Sequence, residues 1–158
     1  MNLKRSIFRT LTAYLLTILG LTGCAKSTKQ DENLAGKRAI EFARIVLVDK
    51  NFDQGYELLS DGGKRHISLA KFQETMIRLH PSGFPSTVTA KEYQPMPGEN
   101  ALWIYLNGQN PETHYRLTME ATASGDYKVL TIDSGAVGRM FSSGSDKKEL
   151  SQPFSTAH

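Results

Sequence analysis

Apolar residues in the first half of the chain recur every three or four positions, which is the spacing of one face of an α-helix. Three such segments follow one another at residues 33–50, 52–59 and 68–79. The run SDGG at residues 60–63 predicts the end of the second segment, and Ser68 is a residue type that caps helix starts. The pattern therefore predicts three consecutive helices.

The second half changes to a period of two, which is typical of strands with one buried face. These alternating segments are separated by Pro, Gly, Asn or Asp and lie at residues 86–93, 101–107, 114–122 and 127–133. Strands joined by such short turns pair in antiparallel fashion. The last segment, residues 137–158, is rich in Ser, Gly and Lys and is predicted to be disordered.

Helices followed by antiparallel strands predict an α+β domain over residues 34–136, in which three N-terminal helices pack on one face of a curved antiparallel sheet of about four strands. The order of the segments also resembles the nuclear-transport-factor-2-like superfamily. The resemblance is carried by AIEFA at residues 39–43, DKNFDQGYELLS at 49–60, SLAKF at 68–72 and GDYKV at 125–129. It implies a cone, a sheet rolled around the helices.

This resemblance rests on helix and strand patterns and covers roughly residues 35–135. More narrowly, the sequence is similar to small bacterial lipoproteins and secreted proteins of unknown function that carry this fold. A cystatin-like sheet with a single helix and a two-layer sandwich are competing folds, and the three predicted helices favour the cone. The superfamily uses its cone for isomerase and dehydratase chemistry and for binding, so the fold alone does not decide the function.

Residues 1–23 have the pattern of a secretory signal, with a basic start and an apolar segment at 11–21 that is short for a membrane span. The signal ends in Leu-Thr-Gly-Cys, which resembles the lipobox of bacterial lipoproteins. This resemblance implies cleavage between Gly23 and Cys24 and lipid attachment to the Cys24 thiol. Residues 24–33 then form a flexible tether. The alternative is an ordinary signal peptide with an incidental cysteine.

Charge and cysteine content narrow the possible functions. The chain has 19 Lys+Arg and 16 Asp+Glu, and the signal holds three of the basic residues and no acidic one, so the mature chain has 16 of each. Nucleic-acid binders need a basic surplus, so no nucleic acid is expected as a partner. Cys24 is the single cysteine, which leaves no other thiol for catalysis or metal binding. Ala25 stands where inner-membrane lipoproteins often have Asp, which implies the outer membrane, facing the periplasm.

Tyr56 and Asp133 are the candidates for a pocket in the cone, because isomerase chemistry needs a carboxylate base and a phenol-type donor around an oxyanion. Tyr56 also continues an apolar helix face and Asp133 also suits a turn cap, so neither is assigned as catalytic. His66 and His80 flank the third predicted helix with no Asp fixed beside them, and His80 suits the last carbonyls of that helix. No metal or cofactor site is expected.

The predicted sheet has one apolar face and one mixed face. Alternation in the second and third strands directs toward the helices the side chains of Leu102, Ile104, Leu106, Tyr115, Leu117, Met119 and Ala121. The opposite face, here called the outer sheet face, carries Trp103, Tyr105, His114 and Arg116. Aromatic residues beside Arg and His are typical of interface cores. The alternative is a solvated face on which the tail half covers Trp103.

These features predict a non-enzymatic lipoprotein that is anchored to a membrane by lipid and faces the periplasm. It is expected to bind an unknown protein partner or a second copy of itself through the outer sheet face, or a small apolar ligand in the cone. Two alternatives remain from the sequence: an isomerase- or dehydratase-type enzyme that uses the cone pocket, and a structural subunit of a secretion or envelope assembly.

Overall fold

The computed structural model describes residues 30–135 and 146–157; the predicted signal peptide and Cys24 lie outside them. Within these residues the chain is an α+β domain with four α-helices and a curved, open sheet of five antiparallel strands. The helices are α1 (Glu32–Ala43), which a π-helical segment (Arg44–Val48) extends, α2 (Phe52–Glu57), α3 (Asp61–His66) and α4 (Leu69–Leu79). The strands are β1 (Thr87–Pro95), β2 (Ala101–Gln109), β3 (Thr113–Ala121), β4 (Tyr127–Gly135) and β5 (Lys148–Ser155). No helix in the described part is long and apolar enough to cross a membrane.

The core lies between the helices and one face of the sheet, whose strand order is β4-β3-β2-β1-β5. Phe42 of α1 and Phe72 of α4 pack there with their ring centroids 6.4 Å apart. The sheet side of the core contains Leu102, Ile104, Leu106, Tyr115, Leu117 and Met119, all fully buried. The inward direction predicted for these residues is therefore confirmed, and Ala121 packs against the same core.

Each α-helix begins at a side chain that accepts a hydrogen bond from a backbone amide of the first turn. These capping residues are Asp31, Asn51, Ser60 and Ser68. Such caps satisfy amide groups that have no partner within the helix. The predicted cap at Ser68 is confirmed.

Residues 60–63 do not simply end a helix, as the sequence predicted; they begin α3, so there are four helices instead of three. The glycines are explained by packing against β4. A Cβ atom on Gly63 would lie 2.9 Å from the carbonyl oxygen of Leu130, and one on Gly62 would lie 2.8 Å from the Leu130 side chain. The two residues therefore allow α3 to approach the strand closely.

The prediction of a disordered C-terminal segment is wrong for part of that segment. Residues 148–155 of the tail predicted to be disordered form β5, which pairs with β1 at the edge of the sheet. Leu150 and Phe154 of β5 pack over Gly36 of α1, within 3.1 Å of the position of a Cβ atom there. Burial of these two apolar side chains offsets the entropy of ordering a polar segment. Residues 136–145 and 158 of the predicted tail lie outside the described residues.

The flexible tether predicted for residues 24–33 does not extend through its last four residues, which are part of the folded domain. Gln30 already donates side-chain hydrogen bonds to the carbonyl oxygens of Glu99 and Ala101, at 3.1 and 2.9 Å. The amide of Asp31 donates to the hydroxyl of Tyr127 at 2.9 Å. The folded domain therefore begins by Gln30, because the polar residues that predicted a tether bind to the sheet instead.

Candidate functional site

The outer sheet face is the side of the sheet that carries none of the four described helices, and its centre is formed by Trp103 and Arg116. Trp103 is partly exposed, and the guanidinium carbon of Arg116 lies 4.9 Å from the centre of its ring. Arg116 also donates to a carboxylate oxygen of Asp133 at 2.9 Å, directly across from it on β4. This ion pair helps to hold the guanidinium near the indole, at a distance favourable for a cation–π interaction.

Tyr105 lies beside this pair but is only 6 % exposed. Its hydroxyl donates to the side-chain oxygen of Gln94 at 2.8 Å. The ammonium of Lys147, at the start of the last described segment, lies 4.0 Å from the centre of the Tyr105 ring and 3.8 Å from a carboxylate oxygen of Glu92. Burial raises the pKa of the Tyr105 phenol, an effect that Arg116 opposes. The C-terminal segment therefore covers part of the predicted outer sheet face.

His114 lies on the same face, farther along β3. Its Nδ1 is 2.7 Å from the side-chain oxygen of Asn107 on β2, the residue directly opposite. On the other side of Arg116, Thr118 receives a hydrogen bond from Thr131 at 2.9 Å. The structure thus brings the four predicted face residues onto one surface of β2 and β3, with Trp103 and Arg116 in direct contact.

Tyr56 and Asp133 are not brought together. The Tyr56 hydroxyl donates to the carbonyl oxygen of Ile67 at 3.1 Å, and its ring packs 6.1 Å from that of Phe72 on the helix side of the sheet. Asp133 lies on the opposite side of the sheet with Arg116. A phenol and a carboxylate on different faces cannot act on one bound substrate.

A buried hydrogen-bonded chain that no local sequence pattern indicates lies at the end of α4. Nδ1 of His80 is 2.6 Å from the carbonyl oxygen of Met76, and Nε2 is 2.8 Å from the hydroxyl of Tyr115, which also receives a hydrogen bond from Thr113. Nδ1 must donate to the carbonyl, so a neutral ring accepts the Tyr115 proton at Nε2. Phe84 stacks on the imidazole with 4.2 Å between the ring centres.

Burial lowers the pKa of His80, against the opposing effect of the Met76 carbonyl, and burial raises the pKa of Tyr115. Both groups are thereby held in their neutral forms, and both ring nitrogens of His80 are occupied. The predicted contact of His80 with a carbonyl at the helix end is present. The Tyr115 partner is 35 residues away in the chain, and its position could not be read from spacing.

A crevice of about 200 Å³ lies between α1 and the start of β4. Its floor is apolar, and at its rim Arg38 donates to both carboxylate oxygens of Asp126, at 2.8 and 2.9 Å, and to Glu41 at 2.7 Å. These bonds raise the pKa of Arg38, and the bond from Arg38 lowers the pKa of Asp126. The charges satisfy one another and tie α1 to β4. Across the described ranges, no group of three His, Cys, Asp or Glu side chains could hold a metal ion.

Comparison with known proteins adds no relative: no protein-family model, curated protein or solved structure matches this chain significantly.

Proposed function

We propose that this protein is a non-enzymatic lipoprotein that binds a protein partner through the outer sheet face. The observation that carries the proposal is the contact between Trp103 and Arg116, with Arg116 oriented by Asp133. Trp and Arg are enriched among the residues that make large single contributions to binding at protein interfaces. Here they are held in place before binding, so little side-chain entropy is lost when a partner docks.

The membrane anchor is the second part of the proposal. Cys24 carries the lipid after cleavage between Gly23 and Cys24, and the domain faces the periplasm from the outer membrane. The lipobox pattern Leu-Thr-Gly-Cys after a short apolar segment supports this assignment. The domain is a nuclear-transport-factor-2-like cone, an assignment supported by helices that pack on one face of a curved antiparallel sheet.

A protein partner is favoured over a small ligand in the cone, because large side chains fill the space between helices and sheet. Phe42, Phe72, Met76 and Tyr115 are each at most 2 % exposed there. An isomerase- or dehydratase-type function is disfavoured by the separation of Tyr56 from Asp133 and by the saturated hydrogen bonds of His80.

The test is to cross-link the lipidated protein in its own membranes, identify the attached proteins by mass spectrometry, and measure the affinity of the purified partner. Trp103→Ala is expected to weaken binding at least tenfold, about 1.4 kcal/mol. Ile77→Ala is the matched control, because Ile77 is an apolar side chain on α4 that is 59 % exposed and lies away from the outer sheet face.

Light scattering of the purified protein separates a second copy from a different partner. A dimer that Trp103→Ala dissociates would identify the partner as the protein itself. A monomer whose bound proteins are all retained by Trp103→Ala would refute binding through this face.

A further inference from the structure

The chain enters the folded domain at one end of the sheet. Gln30 binds the carbonyl oxygens of Glu99 and Ala101, at the turn between β1 and β2. The next residue, Asp31, donates its amide to Tyr127, which follows the turn between β3 and β4. The two turns, residues 96–100 and 122–126, are here called the proximal end.

This attachment is fixed by several independent contacts. The amide of Ala121 donates to the carbonyl oxygen of Asn100 at 2.9 Å, which joins the first turn to the end of β3, next to the second turn. The paired hydrogen bonds from Arg38 to Asp126 fasten α1 to the second turn. Asp31 is also the N-cap of α1, so the start of this helix fixes the direction in which the chain enters the domain.

Chain length then limits how far this end can lie from the lipid. Six residue steps separate Cys24 from Gln30. An extended chain covers at most about 3.5 Å per residue, so Gln30 lies within about 20 Å of a lipid-modified Cys24. The nine-residue strands are about 30 Å long, so the distal end, formed by residues 80–86 and 110–112, is well separated from this point.

We propose that the proximal end faces the membrane and the distal end points away from it into the periplasm. This inference rests on the proposed lipid anchor at Cys24. Neither proximal turn (MPGEN and TASGD) contains Lys or Arg, so the turns themselves offer anionic lipid headgroups no basic side chain. The short tether, not adhesion of the turns, holds the orientation.

The orientation also limits how far the contact of Trp103 with Arg116 lies from the membrane. Trp103 is two residues beyond Ala101 on β2, or about 7 Å along the strand from the proximal end. The contact of Trp103 with Arg116 therefore lies within about 30 Å of the lipid surface. A partner attached to the same membrane can therefore reach this contact with a domain of ordinary size.

The orientation can be measured with single cysteines, because lipidation of Cys24 would leave the protein no other thiol. Glu99→Cys and Ser124→Cys place a donor dye at the proximal end, and Ser82→Cys and Glu112→Cys place it at the distal end; all four native side chains are exposed. The lipidated proteins are inserted into phosphatidylcholine vesicles that contain a small fraction of acceptor-labelled lipid. We expect energy transfer to be at least twofold more efficient from both proximal positions than from both distal ones.

Equal or stronger transfer from the distal positions would overturn the orientation, provided that all four variants float with the vesicles. The unsubstituted protein tests the anchor separately: if it takes up dye at Cys24 and does not float, lipidation and with it the proposed anchor are refuted. Insertion of ten Gly and Ser residues after Lys29 tests whether the short tether causes the orientation. The longer tether is expected to reduce the difference between the ends, and an unchanged difference would refute control by tether length.

Discussion

The two faces of the sheet carry aromatic side chains under different physical conditions. On the inner face, which packs against the helices and Phe42 of α1, Tyr115 is 1 % exposed and its hydroxyl is satisfied by His80 and Thr113. On the outer face, Trp103 is partly exposed and contacts the side of an ion-paired Arg116. The aromatic side chains of the inner face are already fully removed from water, whereas part of the Trp103 surface is still exposed and can be buried by a partner.

The contrast separates stability from recognition. Among the described residues, no buried side-chain nitrogen or oxygen lacks a hydrogen-bond partner. The buried polar side chains of the described core are therefore satisfied by partners within the chain. The cation–π contact between two partly exposed side chains adds little stability to the outer face, and the exposed parts of Trp103 and Arg116 remain available to a partner. Mutations on the two faces should therefore differ strongly in their cost to folding.

The largest effect is expected from Phe42→Ala, which removes a fully buried ring between α1 and α4. Loss of the ring and the cavity that it leaves should lower the free energy of unfolding by about 3–5 kcal/mol. Urea titration followed by circular dichroism measures this change. Ile77→Ala, at an exposed position on α4, should change the same quantity by less than about 0.5 kcal/mol. A loss below about 1 kcal/mol for Phe42→Ala would indicate a loosely packed interior.

The difference between the two faces of the sheet can be predicted from the sequence alone. The alternation in residues 101–107 and 114–122 identifies both faces at once, because successive side chains of a strand point in opposite directions. That pattern is sufficient to place Trp103 and Arg116 on the same face of the sheet. Each of these inferences depends on neighbouring residues and on strands joined by short turns.

Features that depend on distant residues could not be predicted. β5 is mostly polar and contains two large apolar side chains, Leu150 and Phe154. It forms a strand because its backbone pairs with β1 and because these two side chains pack over Gly36 of α1. The glycines of α3 were interpreted as a helix stop, although the close approach to β4 requires them. Coverage of Tyr105 by Lys147, 42 positions later in the chain, likewise has no signal in local spacing.

A smaller effect on stability is expected from acidification, through His80. Its folded-state pKa is lowered by burial, so the unfolded chain binds a proton more readily. Stability from the neutral ring is therefore complete above the unfolded pKa of about 6.5 and decreases as the pH falls below it, by up to about 1.4 kcal/mol per pH unit. His80→Gln should remove this component of the pH dependence in urea titrations between pH 7 and pH 5.

The matched control is His66→Gln, because His66 is exposed at the end of α3. This variant should keep the pH dependence of the unmodified protein. If His80→Gln and His66→Gln have equal slopes, protonation of His80 does not limit the stability of the inner face in acid.

The smallest effect on stability is expected at the outer sheet face, from the coupling between Trp103 and Arg116. A double-mutant cycle with Trp103→Ala, Arg116→Ala and the combined variant should give a coupling free energy of about 0.5–1 kcal/mol, because the pair is partly solvated. Urea titration measures the cycle. The affinity of the purified partner for the same variants should fall at least tenfold when Trp103 is removed.

The ratio of the two effects decides the role of this face. A loss of about 3 kcal/mol in the free energy of unfolding for Trp103→Ala would mean that other parts of this chain bury the side chain. The outer face would then be a second hydrophobic core, and the two faces would no longer differ. The contact of Lys147 with Tyr105 shows that part of the face is already used in this way. A small cost to folding together with a large cost to binding would mean that Trp103 and Arg116 are held in position for a partner.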